Sequence, residues 1–597
     1  MTVSRSRPDT RAHPTVSPAR RRWIHERRAL TRVARGALPA DRYLEGGTLL
    51  NVYTGELYPA NVAIKGERIA YVGARDDMVG PRTEVLSAAG RILCPGYIEP
   101  HAHPWLMATP AALARHVLPL GTTSIVADDL PLYELGGERG FRVAVEALSR
   151  GPLKYYWLVR LHSQSRSGGE SRRFPTIALA RLLASPWVAA AGEVTRWPEA
   201  WEGDPALLER LALAAERRRR IEGHTAGASV EKLAGLAAAG LSSCHEAITA
   251  REALDRARAG LAVILRQSSL RPDLKELLAA LKEAPGLTAR VMLTTDGSSP
   301  AFVAERGFVD HLVAVAMEAG VPPVDAYRMV TLNPAFHFGL DAEIGGIAAG
   351  RYADLLLLRD LSEPRPETVI SRGRVVARDQ TLLASVPEPP WARIFASRSA
   401  RLAVRWRVGA DDFVLPRRGR QPVIRFVSAV ITRLEERSLE PGDLLAALID
   451  REGRWICPGV VAGFCPELDG LATTVSTDFQ ILVLGRDARA MAAAVNRLLA
   501  LGGGIVVVEG GRVSYELALP LGGIMSRQPL AVLAEREREL FALLKAHGYA
   551  HHDPLFTLLF LVADFLPEVR LTARGVWDVK GRKVLAPSRR LARRRGA

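Results

Sequence analysis

The sequence predicts an α/β protein in which a (β/α)8 barrel interrupts a β-sandwich. Short β-type segments occur twice, far apart, on either side of a long middle region. That middle region alternates apolar, strand-like runs with alanine- and leucine-rich helical runs over about 240 residues, the size of such a barrel. Ionisable residues recur where the apolar runs end, the face on which a barrel carries its chemistry.

In chain order, the first 40 residues are basic and read as a solvated, disordered extension, with a second basic tail over residues 586–597. Gly47 to Gly55 and Asn61 to Gly73 read as short strands with turns at Gly55 and Gly66. The same signal returns at Gly350 to Leu358 and Val369 to Val376, so residues 41–97 and 336–400 are expected to form one composite sandwich. Between them, residues 98–335 carry the barrel pattern. Thr123 to Ala127 precedes a helical Val143 to Ser149, and Val188 to Glu193 precedes Pro205 to Glu222.

Composition narrows the function classes. A chain of 597 residues exceeds one core, and 48% hydrophobic with 24% charged residues is ordinary for a soluble globular protein. No charge-free apolar run reaches membrane-spanning length, so no membrane partner is expected. The basic N-terminus lacks the apolar core of a secretory signal, which points to the cytoplasm. Cys94, Cys244, Cys457 and Cys465 show no CxxC spacing and argue against a disulfide framework. The net charge of +16 lies partly in the two tails, Ser4 to Arg35 and Arg589 to Arg595. No zinc-finger spacing or aromatic-interleaved basic motif accompanies it, so a nucleic-acid partner is not expected.

The chemistry centres on Cys94-Pro-Gly-Tyr-Ile-Glu-Pro-His-Ala-His103. Side chains alternate along a strand, so His101 and His103 point the same way and can grip one divalent cation, while Ala102 faces away. Four more candidates follow short apolar segments: Glu193, His224, His245 and Asp296. Singly, each has an ordinary reading: a surface carboxylate, a neighbour of a helix cap, a loop histidine, and an Asx-turn residue before Gly297. Together they form the ordered set HxH, Glu, His, His, Asp on successive strands, which chance rarely assembles.

That set resembles the amidohydrolase superfamily, and the local wording resembles bacterial-type adenine deaminases. The family's Pro-Gly-Phe-Ile-Asp run into HxH, its Gly-His-Ala-Pro-Gly, Ser-Ser-Asp-His-Glu and Thr-Asp-Asp motifs align with Pro95 to His103, Gly223 to Gly227, Ser242 to Glu246 and Thr295 to Gly297. The likeness continues through Thr331 to Ala335 and Gly345 to Asp354. Beyond the barrel, Asn496 to Val508, Leu519 to Ser526 and Asp553 to Leu558 resemble the family's additional C-terminal α+β domain, here residues 401–585.

The resemblance implies hydrolytic deamination of adenine to hypoxanthine and ammonia, with two divalent metal ions, manganese or iron. His101 and His103 with Asp296 would hold one ion, His224 and His245 the second, and Glu193 would bridge them. Asp296 is the expected general base and Glu246 a second catalytic carboxyl. Trp105, Gly297 and Ser298 are expected to contact a small-molecule purine, and a homo-oligomer is expected. Hydrolysis of another amino-heterocycle or cyclic amide, or a catalytically silent homologue, are the alternatives.

The chain also departs from the family. Ile-Glu-Ser-Ser after HxH becomes Pro104-Trp-Leu-Met107, and Thr-Asp-Asp-Arg-His-Pro becomes Thr295-Asp-Gly-Ser-Ser-Pro300. Cys244 replaces an aspartate and is read as a packed small residue. A Ser-His-Asp-Ser-His-Asn stretch becomes Ser476-Thr-Asp-Phe-Gln-Ile481, without histidine. Metal ligands survive while polar neighbours do not, which predicts altered specificity sooner than lost hydrolysis.

Overall fold

The computed structural model describes residues 17–165, 170–396, 402, 406–415, 419–591 and 594–595. Its centre is an eight-stranded parallel sheet whose strands neighbour one another in chain order. They are β1 (Tyr97–Ala102), β2 (Thr122–Asp128), β3 (Lys154–Val159), β4 (Val188–Val194), β5 (Arg220–Gly223), β6 (Ser243–Cys244), β7 (Ala262–Arg266) and β8 (Val291–Thr294). A parallel bridge between Ala102 and Asp296 brings the two ends of the series together, closing a (β/α)8 barrel. Every residue of β2, β3, β4 and β7 is buried, because helices cover the outside and side chains fill the inside.

Helix Pro205–Glu216 shows how the outer layer is specified. Asp204 accepts a hydrogen bond from the Leu207 backbone N–H, proline occupies the first turn, and Leu207, Leu211 and Ala214 recur on the one buried face.

Both flanks of the barrel contribute to one nine-stranded sheet. Leu355–Leu358 pairs antiparallel with Ile92–Pro95, joining the segments before and after the barrel. Alternation along the strands gives the sheet two apolar faces. Leu44, Val62 and Ile64 enter one core, and Tyr43 and Ala63 enter another.

That second face corrects the expectation for the N-terminal extension. Residues 1–16 lie outside the described residues, but Pro18–Ala34 is a helix, capped at Ser17, that lays Leu30 and Val33 on the sheet. Arg27 donates to the Gly350 carbonyl at 2.8 Å, and Glu26 pairs with Arg68 at 2.9 Å. Net charge concealed the three-residue spacing of the two apolar anchors. The second basic tail is likewise partly structured: Arg589–Arg590 pairs with Trp455–Ile456, and Leu591 is buried.

The C-terminal region has its own nine-stranded sheet, on which helix Ala488–Leu501 packs. It reaches the barrel at several points. Met525–Ser526 pairs with Met107–Ala108, and Glu537, in helix Leu530–Ala546, accepts from the Ala301 backbone N–H at 2.8 Å. The apolar stretch that replaces the family's polar one after HxH is therefore docking surface as well as cavity wall. All four cysteines are buried and unbridged. Among the described residues, no helix is long and apolar enough to cross a membrane.

Candidate active site

All six residues proposed as metal ligands from the sequence meet at the C-terminal end of the barrel. His101 lies in β1 and His103 just beyond it; Asp296 follows β8. His101 Nε2 and His103 Nε2 stand 3.7 and 3.2 Å from Asp296 Oδ1. Glu193 belongs to β4, and His224, His245 and Glu246 follow β5 and β6. His224 Nδ1 touches Glu193 Oε1, and His245 Nε2 lies 3.2 Å from that same oxygen. Glu246 Oε1 is 3.4 Å from His245 Nε2 and 3.6 Å from His224 Nδ1.

Donor atoms within 4.8 Å of one another form three overlapping groups: His101, His103 and Asp296; His101, Glu193 and His245; and His224, His245 and Glu246. The chain of groups shares His101 and His245, whose rings stack at 4.1 Å. Glu193 Oε1 lies against both His224 and His245. Glu246 falls among the donors themselves.

These residues fit a divalent cation. His101 is wholly buried, yet neither ring nitrogen has a hydrogen-bond partner, an arrangement that is costly unless something accepts the lone pair. Imidazole nitrogens mixed with carboxylate oxygens suit first-row metals and zinc. The electrostatics of the metal-free site divide. Burial is overridden by Asp128 and Asp296 at His103, raised to about 10, and by Glu193 at His245, raised to about 9, so a cation would have to displace a proton from each. The carboxylates and His101 are already in the ligating form. Burial pushes the Asp296 carboxyl up, but the His103 hydrogen bond and the Arg266 charge hold it well below the usual range. Burial is likewise overridden at Glu193 by His224 and Arg160, and at Glu246 by Arg266 and His224. Burial, reinforced by His245, pushes His101 down to about 3, leaving it neutral and able to donate a lone pair.

Several residues the sequence reading missed hold this cradle. Glu99 accepts from the His101 N–H and the Thr294 hydroxyl with one oxygen, and from the Thr295 N–H and hydroxyl with the other. It thereby staples β1 to β8. Arg160, fully buried after β3, donates to Asp128 Oδ2 at 2.6 Å, Glu193 Oε2 at 2.7 Å and the Glu193 carbonyl at 3.2 Å. Arg266, the last residue of β7, donates from Nη1 to Glu246 Oε1 at 2.5 Å and Asp296 Oδ2 at 2.9 Å. For Arg160 and Arg266 a signal was present, a charged residue at or just beyond the end of an apolar run, the criterion that singled out the candidate donors; Glu99 lies inside its strand and gave none.

Above the cradle is a cavity walled by Trp105, Leu106 and Gly297 from the barrel and by Phe556, Leu559, Phe560 and Phe565 from the C-terminal region. Trp105 and Gly297 thus lie where a substrate would. Ser298 corrects an expectation: it is absent from this wall, lines a smaller pocket behind it, and donates its hydroxyl to the Thr295 carbonyl. The stretch that lost the family's histidines does reach the cavity, through Thr477, and Phe479 packs on Trp105 with ring centroids 6.4 Å apart. Cys244 is buried but not merely packing. Its sulfur lies 3.0 Å from the Thr225 hydroxyl and accepts from the Glu246 N–H and Arg256 Nε, both at 3.3 Å.

Barrel, donor set and cavity define a metal-dependent hydrolase of the amidohydrolase class. Residues 198–376 match the amidohydrolase family profile, and residues 429–583 match the adenine deaminase C-terminal domain. An adenine deaminase from Moorella thermoacetica is 34% identical over 586 residues, covering 94% of this chain and 98% of that one. An adenine deaminase from Rubrobacter xylanophilus is 34% identical, covering 94% and 97%. A Halalkalibacterium halodurans protein, provisionally named an adenine deaminase, is 35% identical over 95% and 98%. The chain belongs to the adenine deaminase family.

Proposed function

We propose that this protein hydrolyses adenine to hypoxanthine and ammonia, using His101, His103, Glu193, His224, His245 and Asp296 to hold two divalent cations, manganese or iron. The observation that carries the reading is convergence: all six donors meet beneath a cavity roofed by the family's own C-terminal domain. Bound metal supplies Lewis acidity that makes water nucleophilic near neutral pH.

The remaining chemistry belongs to the side chains. Asp296, ionised and held through Oδ2 by Arg266, is oriented to take the proton of the attacking water. Glu246, fixed by the same guanidinium, stands beside it to relay a proton to the ring or to the departing amine. Water adds at the amino-bearing carbon, the carbon–nitrogen bond breaks, and ammonia leaves with the relayed proton. The phenyl and indole walls limit competing water.

The test is the ultraviolet change from adenine to hypoxanthine, with manganese- or iron-loaded protein and a metal-free control. Turnover is expected only with metal. Asp296→Asn should keep most metal but lose turnover by about 10²- to 10⁴-fold, whereas His101→Ala should lose metal and turnover together. Metal-loaded protein inert toward adenine would move the reading to another amino-heterocycle.

A further inference from the structure

The cradle's ionic groups are largely matched to one another, but four residues in the cavity wall are not fully engaged. Trp105 Nε1, Gln164 Oε1, Thr477 Oγ1, and Nε and Nη2 of Arg266 are buried without a hydrogen-bond partner. The four residues are 3%, 6%, 3% and 4% exposed, respectively. A folded chain rarely leaves so many buried polar atoms unpaired in one place, so a ligand is the natural complement.

The four divide by chemistry and by place. Indole and guanidinium only donate. Both stand beside the cradle, Trp105 with its ring 5.3 Å from that of His103, and Arg266 on Asp296. Gln164 and Thr477 can accept, and neither bonds a cradle residue through its side chain. Their backbones are pinned, while Gln164 Oε1 and Thr477 Oγ1 have no partner. Gln164 donates its N–H to Glu134, and its carbonyl accepts from Thr195 at 3.4 Å; the Thr477 N–H donates to Leu559 at 3.2 Å. The neighbouring Ser165 and Asp478 side chains lie close to one another, so the two segments meet across the junction of barrel and C-terminal domain.

We infer that Gln164 and Thr477 are a specificity pair that reads an unsubstituted ring N–H and its adjoining ring edge on the amino-heterocycle. This rests on the deamination reading, and it assigns to the two side chains the edge that the cradle does not hold. The reacting amino carbon must face the metal ligands, so acceptors elsewhere in the wall need a donor on another edge of the ring. A free azole N–H supplies one. A substituent on that nitrogen removes the donor and meets the phenyl wall.

Calorimetric titration of the metal-loaded, full-length protein tests this, with adenine, hypoxanthine, 7-methyladenine and 9-methyladenine as probes, beside the ultraviolet assay. Gln164→Leu and Thr477→Val should each weaken binding of the free bases by about 5- to 100-fold at unchanged metal content. They should raise KM more than they lower kcat, and leave a base methylated at the contacted nitrogen nearly unaffected. The pair is overturned if both variants bind free bases like the parent, or if both methylated bases bind the parent as tightly as adenine. Should the parent bind adenine without deaminating it, the deaminase reading fails, and weakened binding in the variants still upholds the pair. A parent that binds none of the probes overturns both.

Discussion

The carboxylates beneath the cavity and those at the junction with the C-terminal domain live in opposite electrostatic regimes. Beneath the cavity, Asp128, Glu193, Glu246 and Asp296 each touch a guanidinium, Arg160 or Arg266. At the junction, Asp478 lies beside Ser165, and Glu537 lies beside Ser299 and accepts from the Ala301 N–H. Burial, with Asp564 or Asp553 nearby, pushes each of these two up to about 8. The first group is thereby ionised and set to hold cations. The second keeps its protons to higher pH, and through Glu537 and the Ala301 N–H it makes a hydrogen-bonding contact between domains.

The sharpest way to break this contrast is to remove the cation under the cradle. Arg160→Met leaves Asp128 and Glu193 buried without their common partner, a change that typically costs about 3–5 kcal/mol when one side of a buried pair is removed. Loss of urea stability and of bound metal are expected together, measured by denaturation and elemental analysis. Arg160→Lys should recover only part of either, because an ammonium cannot reproduce the fork that reaches Asp128, Glu193 Oε2 and the Glu193 carbonyl. Full metal occupancy in Arg160→Met would show that Glu193 is held by its histidines alone.

A smaller effect, of distinctive sign, is expected at the junction. Glu537 stands at about 8 in the folded protein and near 4.3 unfolded, so between those values the native state binds the extra proton. Its contribution to stability therefore falls as pH rises from about 4.5 to about 8. The paired carboxylates of the cradle run the other way: their contribution is present above the ordinary carboxylate range and is lost as pH falls. Glu537→Gln keeps an acceptor for Ala301 and should flatten the loss across pH 5 to 8 in urea unfolding of the metal-free protein. An unchanged slope would place the junction's titration at another group.

Much of the architecture was legible, and the six candidate donors could be picked out, because each rests on a local pattern. Strand and helix alternate at readable periods, and His101, His103, Glu193, His224, His245 and Asp296 each end or follow an apolar run. The residues that hold them were less visible for a physical reason. Arg160 and Arg266 matter through partners 20 to 33 positions away, Asp128 and Glu193 for one, Glu246 and Asp296 for the other, and only the barrel fold sets those distances. Helix Pro18–Ala34 was hidden differently: its arginines dominate the composition, while two apolar residues fix it to the sheet. The departure at 476–481 could be seen but not interpreted, since its meaning depends on Thr477 reaching a cavity built mainly by another domain.

The smallest expected effect concerns Gly297, where the family's second aspartate is missing. A Cβ built there would lie 3.3 Å from Phe556 Cζ and 3.4 Å from His103 Cδ2, tight contacts that a slight shift of the phenyl ring can relieve. Gly297→Ala should therefore cost about 1 kcal/mol of stability and raise KM a few-fold, with metal content unchanged. Gly297→Asp should do more, because a longer side chain must displace Phe556 and brings a third carboxylate beside Asp296 and Glu246. If Gly297→Asp lowered KM for adenine and Gly297→Ala did not, the lost aspartate would be a substrate contact. If both raise it in order of size, Phe556 has taken over that volume, and the glycine and the aromatic wall of the C-terminal domain are one adaptation seen from two sides.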